Sequence, residues 1–346
     1  MISVFSPFRR TAFGLAALLL VGGAAAADAR AAAPREVRRE FALAPGGTLK
    51  IDSNRGAVVI EESDETVVRV LVTIEADAKD ERTAARMIDG VKLDFREKGG
   101  TIAVTAHNPQ ESGLRLTLGE EARVDVGFFV SVPRTCNLDV KLVNGSITVG
   151  SLKGAMKARL ENGPVNFKRI DGTVDASVDF GSIIVSRCTG SVTARVLSGL
   201  IRVGTIGGSA RLKNTTGDIE VLTVHGALRA EAAAGNVTVG FAEKIAQDSV
   251  VEVAGGSIFA SFVPTSACRI EATSVWGDVK AMLPLKIEAG GVGQRKLTGT
   301  LNGGGPTVKL HANGGYVNLE RGEEVFEITP LAPAETTETP RSLRRK

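Results

Sequence analysis

The sequence predicts an all-β fold: a β-solenoid of 18-residue coils with two short strands per coil, plus one short helix near the N-terminal end. Three observations predict it. First, Gly145, Gly163, Gly181, Gly199, Gly217 and Gly235 recur every 18 residues, and Gly154, Gly172, Gly190, Gly208 and Gly226 form a second series 9 residues out of phase. A fixed period of this length marks one supersecondary unit stacked on copies of itself. Second, the pairs Ile147/Val149, Val165/Phe167, Ile183/Val185, Ile201/Val203, Ile219/Val221 and Val237/Val239 follow the first glycine of each unit. Their spacing of two places both members on one face of a pleated strand. Third, Met156/Ala158/Leu160, Val174/Ala176/Val178, Val192/Ala194/Val196, Ala210/Leu212 and Leu228/Ala230/Ala232 repeat that spacing after the second glycine. Leu152, Ile170, Cys188, Ile206, Val224 and Ala242 fill the corner between the two strands. An antiparallel meander with glycine turns fits the same spacing and stays open as the alternative.

One unit alone cannot fold. Ordering each residue costs roughly 1–2 kcal/mol, whereas each buried aliphatic side chain returns roughly 1.5–3 kcal/mol. Stacking covers the same side chains from above and below, so stability should grow with coil number and depend on capped ends. Glycine is expected at the corners because a turn made within two or three residues often needs positive φ. The preceding residue runs from Asn144 and Asn162 through Phe180 and Ser198 to Thr216 and Ala234, so only the glycine is demanded.

The elements follow in order. Arg9 and Arg10 precede the apolar run from Ala12 to Ala27, and Ala-x-Ala options lie at Ala27 and Ala29, so residues 1–31 read as a secretory signal peptide. Residues 32–47 are a polar lead-in ending at Pro45-Gly46-Gly47. Residues 48–132 form a β-rich N-terminal part, with a strong strand in Val67-Val-Arg-Val-Leu-Val-Thr-Ile and a helix over 79–89, where Ala85, Met87 and Ile88 stand among charges. Residues 133–320 form the β-strand repeat domain. Residues 321–346 are rich in Pro, Thr and Glu, end in Arg341-Ser-Leu-Arg-Arg-Lys and read as a disordered tail.

The export signal sets the compartment as periplasm or cell surface. Removing Arg9, Arg10, Arg30 and Asp28 from the 42 basic and 39 acidic residues leaves 39 and 38, a nearly neutral chain that gives no reason to expect a nucleic-acid partner. The 3 cysteines are too few for a disulfide-stapled fold and lack a CxxC or Cys/His spacing for a metal. Two familiar solenoid chemistries fail on spacing. The hexapeptide acyltransferase helix needs an aliphatic residue every six positions, but steps from Ile147 reach Lys153 and Arg159. The calcium-binding nonapeptide roll needs a carboxylate at each half coil, whereas Gly145-Ser-Ile-Thr-Val-Gly-Ser supplies none, and Asp218 and Asp278 stand isolated.

The blocks Gly145-Ser-Ile-Thr-Val, Gly217-Asp-Ile-Glu-Val and Gly277-Asp-Val-Lys accompany Val132-Pro with Cys136-Asn-Leu and Val263-Pro with Cys268-Arg-Ile-Glu-Ala. Together they resemble the bacterial β-strand-repeat "putative adhesin" family of toast-rack type, over roughly residues 48–320. The resemblance implies a cell-envelope protein with no established chemistry, sometimes associated with adhesion or envelope stress. It carries over no catalytic residue.

A search for chemistry returns little. His107, His225 and His311 lie at no ligand spacing from Cys or acid, and His225 reads as a solvent-facing turn residue. Cys188 sits in the aliphatic corner column and reads as core. Cys136 and Cys268 hold similar sites and read as buried; a disulfide between them would cross many coils. Glu61-Glu62, Glu120-Glu121 and Glu323-Glu324 are sequence neighbours that point to opposite faces of a strand. Gly290-Gly291 and Gly303-Gly304-Gly305 lack the Lys-Ser/Thr and following helix of a phosphate loop. Trp276, before a glycine corner, is expected to be exposed. No cofactor is expected.

One surface stands out. Lys157, Arg159, Arg195, Arg211, Lys213 and Arg229 occupy the outward face of the second strand, opposed in their columns only by Asp175 and Glu231. Coils repeat at about 4.8 Å, so these residues would form a charge ladder able to meet an anionic polymer or lipid head groups, or one that merely solvates the sheet. The sequence thus reads as an exported, non-enzymatic β-repeat protein, a structural, adhesin-like or interaction surface in the cell envelope. Its partner would be an envelope protein, glycan or lipid, with peripheral membrane contact and self-association open. The alternatives are an envelope-stress sensor and a polysaccharide-processing β-helix enzyme, which would need convergent carboxylates under long loops.

Overall fold

In the computed structural model, which describes residues 32–107 and 123–322, neighbouring repeats pair in parallel at an offset of 18 residues. Val174 faces Val192, which faces Ala210, and Ala210 faces Leu228. One ladder thus runs through the strands after the second glycine. Ile183, Ile201, Ile219 and Val237 make the other. Pairing from Asn137 to Phe262 is parallel throughout, and the described strands join one 21-stranded sheet accompanied by one short helix. The expected all-β class with a single helix is therefore correct. The expected signal peptide lies outside the described residues, as do residues 323–346 of the expected tail.

Alternation decides what is inside. In Leu152–Cys188 the chain runs through the corners at Gly163, Gly172 and Gly181 without leaving the sheet, and Met156, Ala158, Leu160, Val165, Phe167 and Ile170 are all buried. The two ladders share one apolar cluster reaching from the N-terminal strands to Leu319. The helix Glu81–Gly90 starts where Asp80 Oδ1 accepts from Thr83 N at 2.8 Å, and it buries Ala84, Met87 and Ile88 at helical spacing.

The glycines have a stronger reason than the turn. Gly181 has φ +146°, and a Cβ placed there would stand 2.0 Å from the carbonyl oxygen of Gly163 in the adjacent repeat. Gly199 would stand 1.7 Å from Gly181 O, and Gly163 1.8 Å from Gly145 O. Each glycine lies directly against the backbone of the previous one, and the column continues through Gly256, Gly315 and Gly277. Those last three have no positive φ; there the close approach alone excludes a side chain. A second column, from Gly154 to Gly226, does the same at the opposite corner.

Both ends of the stack depart from sequence order. The first repeat unit, Thr48–Ser63, pairs on one side with Asn137–Val149 and on the other with Thr101–His107 and Arg123–Pro133, so the later segment is the outer one. At the far end, Thr307–Ala312 and Val317–Arg321 insert between residues 249–262 and 268–281. The glycine column repeats that order, Gly315 resting on Gly256 and Gly277 on Gly315. Antiparallel strands close both ends: Lys92–Lys98 on Thr101–His107, Val67–Asp77 on Arg123–Pro133, and Lys296–Leu301 on Cys268–Ser274.

Two sequence expectations need correction here. The segment 32–47 is not simply a lead-in: Arg35–Ala42 is a strand paired antiparallel with Val67–Asp77. Its charge density masked the pattern, yet Val37 and Phe41 pack against the core. No break in the sheet separates residues before 132 from those after 133, because Thr48–Ser63 and Asn137–Val149 are in register over twelve partner pairs.

The cysteines are core residues. Cys136, Cys188 and Cys268 are free and buried, with Cys136 and Cys268 near opposite ends of the stack. Burial pushes the Cys136 thiol up to about 11, against a backbone hydrogen bond with Leu49, and pushes Cys268 up to about 12. Cys188 is raised as well, again chiefly by burial.

Two outcomes follow from this packing. Gly181→Ala is expected to lower the unfolding free energy by about 3 kcal/mol or more in urea titration, because strained φ and backbone collision add. Gly293→Ala, at φ +78° with open space around it, should cost only about 1 kcal/mol; equal losses would mean that φ alone explains the column. A disulfide-exchange reagent such as DTNB should leave all 3 thiols unlabelled in the native chain at pH 8 and label them on unfolding, and native labelling would contradict the burial.

Candidate functional site

The six basic residues singled out from the sequence all lie on one ladder, the one built from the strands after the second glycine. Arg195 is in register with Lys213, and Arg211 with Arg229. The two acids expected in their columns, Asp175 and Glu231, lie beside them, and Asp139 is a third. Asp139 sits in register with Lys157 and lies 3.8 Å from Arg159. Arg195 lies 3.3 Å from Asp175, Lys213 3.7 Å from Glu231, and Arg229 2.7 Å from the same carboxylate. The Arg229 hydrogen bond, helped by Lys213, holds Glu231 below the usual carboxylate range. Lys157 and Arg211 make no ion pair within 4.0 Å among the described residues.

This is a ladder of mixed sign, with like charges in register at Arg195/Lys213 and Arg211/Arg229 and carboxylates set beside them. Each pair is exposed and contributes at most about 1 kcal/mol, so its effect is on which charges face a partner more than on stability. Asp139 was legible in the sequence, 18 positions before Lys157. Glu252 was not: it is in register with Glu231 through an offset of 21 rather than 18.

Next to this ladder lies a depression of about 450 Å³ lined by Lys213, Thr215, Glu231, Ala233, Glu252 and His311, with other neighbours. Ala233 and Ala254 are too short to fill the space between longer neighbours, which makes the hollow. His311 reaches it because Thr307–Ala312 is inserted beside Ser249–Gly255, placing Glu252 opposite His311. At its edge Asn214 is buried; its Nδ2 donates to Gly199 O at 2.8 Å and Asp218 O at 3.1 Å, and its Oδ1 has no protein partner. Sequence reasoning missed this hollow, since no spacing rule places residue 311 next to residue 252.

A second depression, of about 400 Å³, lies near the N-terminal end around exposed Phe129, with Val59, Leu71, Arg38, Arg39 and Arg69. Arg69 is held there by Glu40 at 2.9 Å and by Glu65. Of the histidines, His225 is exposed at a turn, as expected, and Trp276 is 79% exposed. Among the described residues, no group of three or more His, Cys, Asp or Glu is arranged to hold a metal ion, and no helix is long and apolar enough to cross a membrane. What the arrangement offers chemically is a regular display of charge and two open hollows.

Comparison with known proteins gives a family and a loose structural likeness. No curated protein matches the chain. A "putative adhesin" from Parabacteroides merdae ATCC 43184 aligns with 84% of this chain and 97% of its own, at 11% identity and a TM-score of 0.40. A "putative lipid binding protein" from Parabacteroides distasonis ATCC 8503 aligns with 83% and 97%, at 11% identity and a TM-score of 0.38. A "putative adhesin" from Bacteroides fragilis NCTC 9343 aligns with 83% and 97%, at 11% identity and a TM-score of 0.37. Similarity at this level bears on neither site nor function. The sequence itself matches the Toastrack DUF4097 family over residues 47–320, in keeping with its glycine-punctuated strands, and the chain belongs to that family.

Proposed function

We propose that this chain is an exported, non-enzymatic display surface of the cell envelope, adhesin-like in role and built as a solenoid with two strands per coil. Residues 1–31 act as its signal peptide in this reading, and residues 133–320 carry the regular repeats of one continuous stack that begins at Thr48. The observation that carries it is the in-register stack itself. Glycine columns set each repeat close against the next, so outward side chains recur in register at about 4.8 Å. A surface of that kind suits recognition of a partner that is itself periodic, such as an envelope glycan or another stack.

The anionic-polymer contact is favoured in a narrower form than the sequence implied. Lys157 and Arg211 are the members of the basic ladder without a carboxylate partner, so they carry the charge that a polyanion would meet first. Mature protein immobilised on a column should retain solubilised envelope glycan in a salt-sensitive way. Neutralising Lys157 and Arg211 together to Gln should weaken retention about tenfold, whereas Arg229→Gln should change it less than about twofold, because Glu231 keeps Lys213. Equal retention by all variants would discard the ladder as a contact, and turnover of envelope glycans by the purified chain would overturn the non-enzymatic reading.

A further inference from the structure

We propose that the C-terminal end of the stack is a tip that docks on the surface of an anionic phospholipid bilayer. The end is closed by the hairpin of Lys286–Gly290 and Lys296–Leu301, whose turn folds over the last strand: Val279 N donates to Gln294 O and Gly293 N to Val279 O, both at 2.8 Å. The inner side of this cap does the sealing, with Leu297 and Leu301 buried and Leu283 and Leu285 packed on the core. Its outer side does the reverse. Val292 and Ile287 on the hairpin are 54% and 46% exposed, and Trp276 and Met282 on either side of the adjoining strand Val279–Ala281 are 79% and 72% exposed, whereas among the described residues the other end exposes Phe129.

The charges around this patch choose the occupant. Lys286, Arg295 and Lys296 are exposed and have no carboxylate within 4.0 Å among the described residues. Lys280 stands 4.9 Å over the Tyr316 ring. Of the acids on the neighbouring strands, Glu288 is taken by Arg269 and Glu271 by Arg269 and Lys309, which leaves Asp278 and Glu320 against four cations. At the N-terminal end Arg38, Arg69, Arg96 and Arg134 are paired with Glu36, Glu40, Asp94 and Asp64, while Arg35, Lys92 and Lys98 have no carboxylate within 4.0 Å among the described residues, so it is the exposed apolar side chains beside free cations that set the C-terminal tip apart. Apolar side chains ringed by unpaired cations complement a bilayer interface. Tryptophan prefers the head-group level, aliphatic side chains enter the acyl boundary, and each cation near an anionic surface adds about a factor of five in partitioning. A soluble protein partner would offer carboxylates to the same cations but would not require the exposed apolar side chains to enter hydrocarbon, and that difference is measurable.

The protein carries its own probe, since Trp276 is the sole tryptophan. With phosphatidylcholine vesicles containing about one third phosphatidylglycerol, the Trp276 emission of the full mature chain should shift to the blue and be quenched by brominated acyl chains. With pure phosphatidylcholine both effects should be much smaller. Met282→Ser with Val292→Ser should weaken partitioning about tenfold. Lys286→Glu with Arg295→Glu and Lys296→Glu should weaken it on the order of a hundredfold. Both variants alter exposed side chains and should keep the wild-type urea midpoint. Emission that stays unshifted and unquenched in wild-type protein at excess anionic lipid overturns the proposal without any variant. So does charge reversal that leaves binding intact, or complete competition by soluble polyphosphate while Trp276 remains in water. Because the measurement uses purified chain and synthetic vesicles, it stands or falls separately from the proposed export and from the glycan contact.

Discussion

The whole molecule rests on one close approach, a glycine Cα laid against the carbonyl oxygen of the glycine one repeat away. No side chain fits between them, since a Cβ would come within about 2 Å of that oxygen along most of the column. The contact sets how near two repeats come at the corner, and it does so at two corners, because the second glycine column behaves alike. With both corners held, the strands between them must pair in parallel and in register. In-register pairing then stacks valine on valine and isoleucine on isoleucine into continuous apolar columns. Burial supplies the driving force, roughly 1.5–3 kcal/mol for each large aliphatic side chain, but the glycines decide which side chains meet.

A stack so uniform has a weakness at its ends, where the last repeat lacks a neighbour and its edge could pair with another chain. The chain meets this by placing its first and last repeat units in the second position from each end. Thr48–Ser63 and residues 307–321 each have neighbours on both sides, so neither terminal unit can peel away alone. The outermost positions go to antiparallel strands. At the N-terminal end these are dense in paired charges, as in Arg35–Ala42 and Lys92–Lys98. At the C-terminal end the hairpin and the adjoining last repeat carry the exposed apolar side chains, so the two ends differ in surface chemistry although they share a construction.

The same register that aligns the core aligns the outside. Because each outward residue faces its counterpart one repeat away, like charges such as Arg195/Lys213 and Arg211/Arg229 meet in register, and carboxylates in the same or adjacent columns offset them. The pairing of Glu231 with both Arg229 and Lys213 shows how one carboxylate offsets two cations on this face. What a partner meets is then set by the few cations left over.

How much could be read in advance divides along the same line. The glycine period, the apolar pairs two apart and the burial of Cys188 and Ile170 were legible, because each depends on contacts between residues a fixed 18 positions apart. Asp139 was legible for the same reason. The strand at Arg35–Ala42 was hidden by its charges. The swapped order of the terminal units, the Glu252–His311 neighbourhood and the sealing hairpin were not legible, because there the partners lie tens of residues apart with no period to announce them. By itself, the sequence determined the all-β class, the repeat and which faces are apolar, since local pattern and a constant offset are enough to specify them. Only the tertiary structure decided which units lie inside, how the ends close and which charges stay unpaired, because those depend on long-range packing that no periodicity encodes.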